Sequence, residues 1–373
     1  MKNIWPWGAA VASGVLMALA YPPFELEWLI WIALTPLTCG LWFRPNRTPL
    51  GHFLIGYMTG VVFFLTVFVW ITEVTSPGWI LLSLYLAIYF GIWGWFAGTV
   101  ICPDRPVDSN TPKNRRPWMN SWTNLRLVLS GAAAWVGLEW IRGELFTGFG
   151  WNGLGVSLFT QTALIQIADF AGVGGISFLI VMANLVLVIT VRRFLIEIQL
   201  MRVRPHYDFM ITIALIAVAF SYGVHHYYKP VGPTIPLKVA AIQANIPQDE
   251  KWDPAFEERI LKTYRRQTEI ALVAQPDLLI WPEAATPRPA LNDQSLLAEV
   301  TEIAAAGQVD FLFGTVYYDA FGGYNSAVLL HPNTSAQVYN KNHLVPFGEY
   351  VPFRKSFPLF AWVIGDQVPA DFD

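Results

Sequence analysis

A carboxylate that could act as an acid or a base follows an apolar run in the second half of the chain. The run reads Leu279-Ile280-Trp281-Pro282-Glu283, and α/β proteins commonly place site residues just after such a strand. Beside Trp281 and Pro282, Glu283 is expected to be partly removed from water, which suits a general base. The alternatives are a helix N-cap and a solvated residue at a strand end.

A lysine and a second carboxylate lie in the segment YNKNHLVPFGEYVP at 339–352. Lys341 is close to aromatic residues and precedes a Pro–Gly loop, so it could hold a fixed positive charge where an oxyanion develops. The alternative is an ordinary surface lysine in a turn. A third polar segment, QANIPQ at 243–248, follows another apolar run, and Trp252 comes shortly after it.

Metal and cofactor chemistry finds no support in the sequence. The two cysteines, Cys39 and Cys102, lie in or beside apolar runs, and no H-x-x-x-H spacing, Walker loop or G-x-G-x-x-G fingerprint occurs. We therefore predict no metal and no cofactor. The net charge of −3 and the lack of a basic tract argue against a nucleic-acid partner.

The elements that must position these residues alternate as in an α/β domain. The patterns predict strands at 237–242, 277–281, 311–317 and 325–330, and helices at 256–273 and 295–305. This region, 229–373, is predicted to form a soluble α/β domain.

The preceding residues, 1–228, are predicted to form a membrane domain. The chain is 54% hydrophobic and only 14% charged, against roughly 25% charged in soluble domains. Apolar runs long enough to span a bilayer predict seven helices, near residues 5–21, 28–43, 53–71, 79–101, 125–141, 163–191 and 209–224. Asp169 and the Gly172–Gly175 cluster are expected to interrupt the sixth.

Positive charges in alternate connections predict the orientation of these helices. Lysines and arginines follow the even-numbered spans and precede the first, whereas the other connections carry only Arg142. The positive-inside rule then puts the N-terminus in the cytoplasm and the second domain outside it. In a bacterium that is the periplasmic face of the inner membrane. A cleavable signal peptide ending near Ala18-Leu19-Ala20 is the alternative for the N-terminus.

Polar residues inside the predicted spans are expected to make helix contacts. Glu139 and Arg142 are spaced i, i+3, so they are predicted to form an ion pair. Asp169 and Asn184 are predicted to contact neighbouring helices, since polar groups in a membrane are costly when unpaired.

The segments around Glu283 and Lys341 resemble the nitrilase, or carbon–nitrogen hydrolase, superfamily. Together with a seven-span N-terminal region, and with YPPF at 21–24 and LFTGFGW at 145–151, they resemble the apolipoprotein N-acyltransferase family. The resemblance implies an α-β-β-α sandwich with a Glu–Lys–Cys triad. It further implies that Glu283 is the general base, Lys341 stabilises the oxyanion, Glu349 is a supporting carboxylate, and Trp252 lies near the lipid.

The resemblance also implies the substrates and the reaction. An acyl chain would pass from a phospholipid to the N-terminal S-diacylglyceryl cysteine of an apolipoprotein, through a thioester on the enzyme. The family's nucleophilic cysteine, which follows the lysine, has no counterpart before Asp373, so this 373-residue chain resembles a truncated member and is expected to be inactive. The alternatives are a catalytically inactive, lipid-binding membrane protein and an amidase acting on a small molecule.

Overall fold

The computed structural model describes residues 4–44, 47–73, 75–103, 120–199, 201, 204–230, 232–247, 250–332, 335–345 and 349. The chain divides into two compact units, Met1–Pro230 and Val231–Asp373. The sequence-based boundary between 228 and 229, and the location of the second unit outside the cytoplasm, stay predictions.

The first unit is helical. Its α-helices are α1 Trp5–Ala18, α2 Ile30–Ala33, α3 Thr35–Trp42, α4 Pro49–Val67, α5 Ser76–Thr99, α6 Ser121–Glu144, α7 Thr162–Ile165, α8 Ala168–Gln199 and α9 Tyr207–Tyr227. Each of the seven predicted spans overlaps one or more of these helices. Of the helices described, α4, α5, α8 and α9 are long and apolar enough to cross a membrane. A membrane domain is thereby confirmed, whereas the count of seven spans stays a prediction.

Local sequence explains where these helices begin and bend. Thr48 and Thr75 precede α4 and α5, and each hydroxyl accepts a hydrogen bond from a backbone N–H of the first turn. The predicted interruption of the sixth span is confirmed, because Gly172 has φ 61° and ψ −178° and breaks the helical geometry of α8.

Two polar features hold the helices of this unit together. The Asn184 amide of α8 donates to Ile30 O at 2.9 Å and accepts from Leu34 N at 2.9 Å. It therefore satisfies backbone groups at the break between α2 and α3, which confirms its predicted role in helix contacts. Asp169 likewise accepts from Tyr222 of α9 at 2.6 Å.

A buried ion network joins the ends of α6, α8 and α9. Arg193 donates to Asp208 at 3.2 Å, to Glu197 at 3.4 Å and to the Ser121 hydroxyl at 2.8 Å. His206 lies 3.0 Å from the other Glu197 oxygen. The side chains of Arg193, Glu197 and Asp208 are almost fully buried. Arg193, one of the charges used to predict orientation, is thus also a structural residue.

The second unit is built on a mixed sheet of five described strands in the order β1-β2-β3-β4-β5. They are β1 Val239–Ala241, β2 Leu278–Ile280, β3 Asp310–Tyr318, β4 Gly323–Leu330 and β5 Gln337–Asn340, with helices α10 Glu257–Leu272 and α11 Gln294–Gly307. β1, β2 and β3 are parallel, whereas β3, β4 and β5 are antiparallel. The predicted α/β unit is confirmed, and β5 was not predicted.

Candidate active site

Glu283 is fixed by the continuation of the β2–β3 pairing. Trp281 N donates to Leu312 O at 2.9 Å, and Gly314 N donates to Pro282 O at 3.2 Å. The Trp281 ring is buried in the core, where its Nε1 donates to the Thr268 hydroxyl at 2.9 Å. The buried Trp281 therefore anchors the end of the strand segment from which Glu283 follows.

A glycine in β3 allows the Glu283 segment to approach closely. A Cβ atom on Gly314 would lie 2.5 Å from Ala284 N, 2.6 Å from Glu283 Cα and 2.6 Å from Pro282 O. All three are backbone atoms, which cannot rotate away as a side chain can. Only glycine fits here without moving the Glu283 backbone.

Lys341 reaches Glu283 from the other side of the sheet. It directly follows β5, and its N–H donates to Asn325 O at 2.8 Å, which extends the β4–β5 register by one residue. The Lys341 ammonium donates to Glu283 Oε1 at 2.9 Å and to Glu349 Oε1 at 3.0 Å. The structure therefore brings together the three residues that sequence reasoning selected from two distant segments.

Asn325, in β4, is a member of this cluster that sequence reasoning missed. Its side-chain amide donates to Glu283 Oε1 at 2.6 Å and to Glu349 Oε1 at 2.8 Å. The two carboxylates are thus bridged twice, once by the Lys341 ammonium and once by a neutral amide. An asparagine near the start of an otherwise apolar predicted strand was the available signal, since Asn is uncommon in strands.

The Glu349 carboxylate is held in its ionised form. Partial burial acts to raise the pKa of Glu349, but hydrogen bonds from Val345 N at 2.7 Å, from Asn325 and from Lys341 outweigh it, so the pKa is lowered. Only 14% of the side chain is exposed. Glu349 therefore supplies a stable negative charge at neutral pH and does not act as a proton acceptor there.

Lys341 is held in its charged form by the same contacts. Partial burial acts to lower the pKa of Lys341, but the hydrogen bonds and negative charges of Glu283 and Glu349 prevail, so the pKa is raised. A permanently charged ammonium cannot serve as a base near neutral pH, but it can stabilise negative charge on a substrate oxygen.

Glu283 differs from Glu349 in its access to water. Its side chain is 64% exposed, so the expected desolvation by Trp281 and Pro282 is not observed. The reason is that Trp281 is buried in the core while Pro282 and Glu283 are exposed. Glu283 is accordingly the carboxylate of the cluster that an external molecule can reach.

Trp252 is connected to the site by the preceding residue, Lys251, whose ammonium is close both to the Glu283 backbone and to the Trp252 ring. The Lys251 ammonium is 3.4 Å from Glu283 O and 5.5 Å from the centre of the Trp252 ring. Burial lowers the pKa of Lys251, against the opposing charge of Glu283. The Trp252 ring itself is half exposed, so an apolar surface is available close to the Glu283 backbone.

Neither cysteine belongs to this cluster. Cys39 and Cys102 are free thiols in the first unit, whereas Glu283 and Lys341 belong to the second. Across the residues that the structure describes, no three His, Cys, Asp or Glu side chains are grouped so that they could hold a metal ion.

The predicted ion pair between Glu139 and Arg142 is not formed as a close contact, although the charge of Glu139 acts on Arg142 from farther away. Oε1 of Glu139 instead accepts hydrogen bonds from Trp135 Nε1 at 2.8 Å and from Leu154 N at 2.8 Å. The i, i+3 spacing allows a pair, but these two donors hold the carboxylate elsewhere. The Arg142 side chain is left without a hydrogen-bonding partner for its buried Nε in the described part of the chain.

Comparison with known proteins agrees with these observations. Residues 13–186 match the family of the apolipoprotein N-acyltransferase N-terminal domain. An apolipoprotein N-acyltransferase of Geobacter metallireducens is 35% identical, over 94% of this chain and 66% of the relative. That of Methylococcus capsulatus is 31% identical, over 97% and 68%, and that of Chromobacterium violaceum is 31% identical, over 95% and 64%.

The helical unit and the α/β unit with its carboxylate–lysine cluster define a membrane protein with a candidate active site in its second unit. The matches make the class specific: the chain belongs to the apolipoprotein N-acyltransferase family. It spans about two thirds of the length of the curated relatives it matches.

Proposed function

We propose that this chain takes part in phospholipid-dependent N-acylation of the N-terminal S-diacylglyceryl cysteine of apolipoproteins. The observation that carries the proposal is the Lys341 ammonium bridging Glu283 and Glu349 at 2.9 and 3.0 Å. The family membership supports the same reaction, because the curated relatives are named apolipoprotein N-acyltransferases. Both substrates would be anchored in lipid, which accounts for a site attached to a membrane unit.

In the first step a thiol attacks the acyl ester of the phospholipid. Glu283 takes the thiol proton, sulfur bonds to the carbonyl carbon, and Lys341 stabilises the oxyanion that forms. When the carbon–oxygen bond breaks, Glu283 returns the proton to the departing lysophospholipid alcohol. The products of this step are a thioester and a lysophospholipid.

In the second step the α-amino group of the apolipoprotein attacks the thioester. Glu283 takes a proton from the attacking nitrogen, Lys341 again faces the oxyanion, and the carbon–sulfur bond breaks. The proton then returns to the thiolate, which restores the thiol. Glu349 and Asn325 hold Lys341 and Glu283 in place through both steps, and Trp252 offers an apolar surface for a lipid chain.

The position of this chemistry in the cell follows from the charge pattern. We propose that the first unit crosses the bacterial inner membrane several times with its N-terminus in the cytoplasm, and that the second unit faces the periplasm. Cysteine substitutions in the connections, labelled with a thiol reagent that cannot cross membranes, test this. Labelling of residues 232–247 from the cytoplasmic side only would contradict the orientation.

The reaction is tested by transfer of a labelled acyl chain from phospholipid to an apolipoprotein N-terminus in detergent. We would compare the chain alone with the chain joined to the remaining C-terminal part of the Geobacter relative, which is expected to supply the thiol. Activity is expected from the joined protein only.

Substitutions then show whether the proposed residues act. Glu283→Gln and Lys341→Met are each expected to lower transfer by about 100-fold or more, whereas Glu302→Gln and Lys262→Met, on exposed helix faces, should not. Full activity of the first two variants would refute the assignment. Ammonia release from a small amide would favour an amidase, and lipid binding without turnover a non-catalytic role.

A further inference from the structure

A buried arginine in the first unit lacks an acceptor. Arg142 lies in the last turn of α6 and is only 3% exposed. Among the described residues its Nε has no hydrogen-bonding partner and no carboxylate lies in ion-pair contact with the guanidinium, although the charge of Glu139 acts on it from farther away. The contact it does make is with the Phe64 ring, whose centre is 5.4 Å from the guanidinium carbon.

The unpartnered guanidinium lines a cavity. The cavity encloses about 330 Å³, including its mouth, between α1, α5, α6 and the segment around Leu154. Met17, Trp93 and Leu138 form part of an apolar wall, while Tyr89 and Glu139 add polar groups. The interior is narrow, with room for about one or two water-sized groups, so only a small part of a ligand can enter it.

A buried cation with no acceptor is costly. Removing a charged group from water costs several kcal/mol unless an opposite charge or hydrogen bonds replace the water. A face-on aromatic ring returns about 0.5–2 kcal/mol of this, so the Phe64 contact offsets only part. An oxygen bearing negative charge is the group that would satisfy the Arg142 donors.

The Glu139 carboxylate limits how much negative charge a ligand of Arg142 can carry. Glu139 is one turn away on the same helix and lines the same cavity, so the pair together carries almost no net charge. A doubly charged free phosphate would be repelled by Glu139, whereas a singly charged phosphodiester would meet less repulsion. Arg142 directly follows the fifth span predicted from the sequence, at 125–141, and the end of a membrane-spanning helix is the depth at which lipid phosphates lie.

We propose that Arg142 binds a phosphodiester oxygen of a membrane phospholipid, which enters through the mouth of this cavity. The guanidinium would donate to the non-bridging oxygens, and the apolar wall formed by Met17, Trp93 and Leu138 would cover the adjoining part of the lipid. The site belongs to the first unit alone, and its occupation requires neither acyl transfer nor the Glu283 cluster.

The test is thermal unfolding of the full chain in lipid-depleted detergent. Dihexanoylphosphatidylcholine, kept below its micellar concentration, is expected to raise the Tm of the unmodified chain by several degrees. Dihexanoylglycerol, which has the same chains and no phosphate, should give at least tenfold weaker apparent binding. An equal shift with dihexanoylglycerol would overturn the proposal, and the full shift with inorganic phosphate alone would assign the site to free phosphate instead.

Arg142→Met separates a binding role from a structural one. Without lipid the variant is expected to unfold within a few degrees of the unmodified chain, because removing the buried guanidinium removes its desolvation cost but also the positive charge near Glu139. It should also lose the lipid-induced shift. Arg126→Met, at an exposed position of the same helix, should keep it. A lipid-induced shift retained by Arg142→Met would refute the proposal.

Discussion

Replacing Gly314 by alanine should displace the backbone of Glu283. Ordinary contacts of a Cβ atom begin at 3.4 Å, and the nearest backbone atom would be at 2.5 Å, so one side must move by about 0.9 Å. β3 is paired with β4 over residues 311–318 and with β2 at residues 310–312, whereas residues 282–284 lie in the connection after β2. The connection is therefore the part expected to move.

The size of this shift predicts its effect on the site. If it is directed away from Lys341, the 2.9 Å contact with Glu283 becomes about 3.8 Å, which is too long for a hydrogen bond. Overpacking of this kind costs about 1–3 kcal/mol in stability. A misplacement near 1 Å also lowers catalysis by about 100-fold, which the acyl-transfer assay on the joined protein would record.

The assay of the contact itself is the reactivity of the Lys341 amine. Glu283 helps to raise the pKa of Lys341, so a longer contact lowers that pKa and leaves more free amine at mildly alkaline pH. Acetylation of Lys341 by a soluble reagent, measured by mass spectrometry, should therefore be faster in Gly314→Ala. Amide exchange of residues 283–285 should also rise.

Gly232 offers a matched control for the substitution of Gly314. In the second unit, a Cβ atom on Gly232 meets nothing within 4 Å, so Gly232→Ala should leave both measurements unchanged. If Gly314→Ala behaves like Gly232→Ala in exchange, acetylation and acyl transfer, close packing against β3 does not position Glu283 and the reasoning fails.

Three further predictions concern polar contacts. Because the pKa of Glu349 is lowered, its contribution to stability is present above the usual pKa of a glutamate and lost as the pH falls through the lowered value. Amide exchange of 341–345 should rise in that window, and Glu349→Gln should abolish the dependence. Asn325→Leu should lower the free energy of unfolding by about 1–2 kcal/mol, a modest loss because one of its two carboxylate partners is exposed. Asn325→Asp should lower it further, because it adds a third negative charge. Denaturant unfolding measures both changes. Arg193→Met should cost about 3–5 kcal/mol by leaving Glu197 and Asp208 buried without a cation, and uncharged substitutions of those two carboxylates should restore most of the lost Tm.

The elements of the second unit were largely predictable because their patterns are regular. Four of the five described strands and both long helices overlap predicted ones. β5 was missed because Gln337–Asn340 is short, and its residues are exposed or half-exposed, so it shows no apolar alternation. The consequence was that Lys341 could be predicted as a charge but not as the residue that follows an edge strand.

Most of the site residues were also predictable from the sequence, whereas one was missed. Glu283 and Lys341 were found from local sequence, since each lies in a distinctive segment, and Glu349 was found through the family resemblance. Asn325 was missed because its role depends on the pairing of β4 with β5, which no local pattern encodes. The prediction that Glu283 is partly removed from water was wrong for a similar reason. Trp281 is close to Glu283 in sequence, but Trp281 is buried and Glu283 is exposed, so closeness in sequence did not mean contact.

Strand pairing brings together residues that are far apart along the chain. Glu283 and Asn325 are 42 residues apart, and Glu283 and Lys341 are 58 apart, yet hydrogen bonds between strands fix their spacing. Loops between paired strands can lengthen at little energetic cost. Insertions or deletions in the connections between these strands can therefore accumulate among relatives while the positions of the reacting groups stay constant.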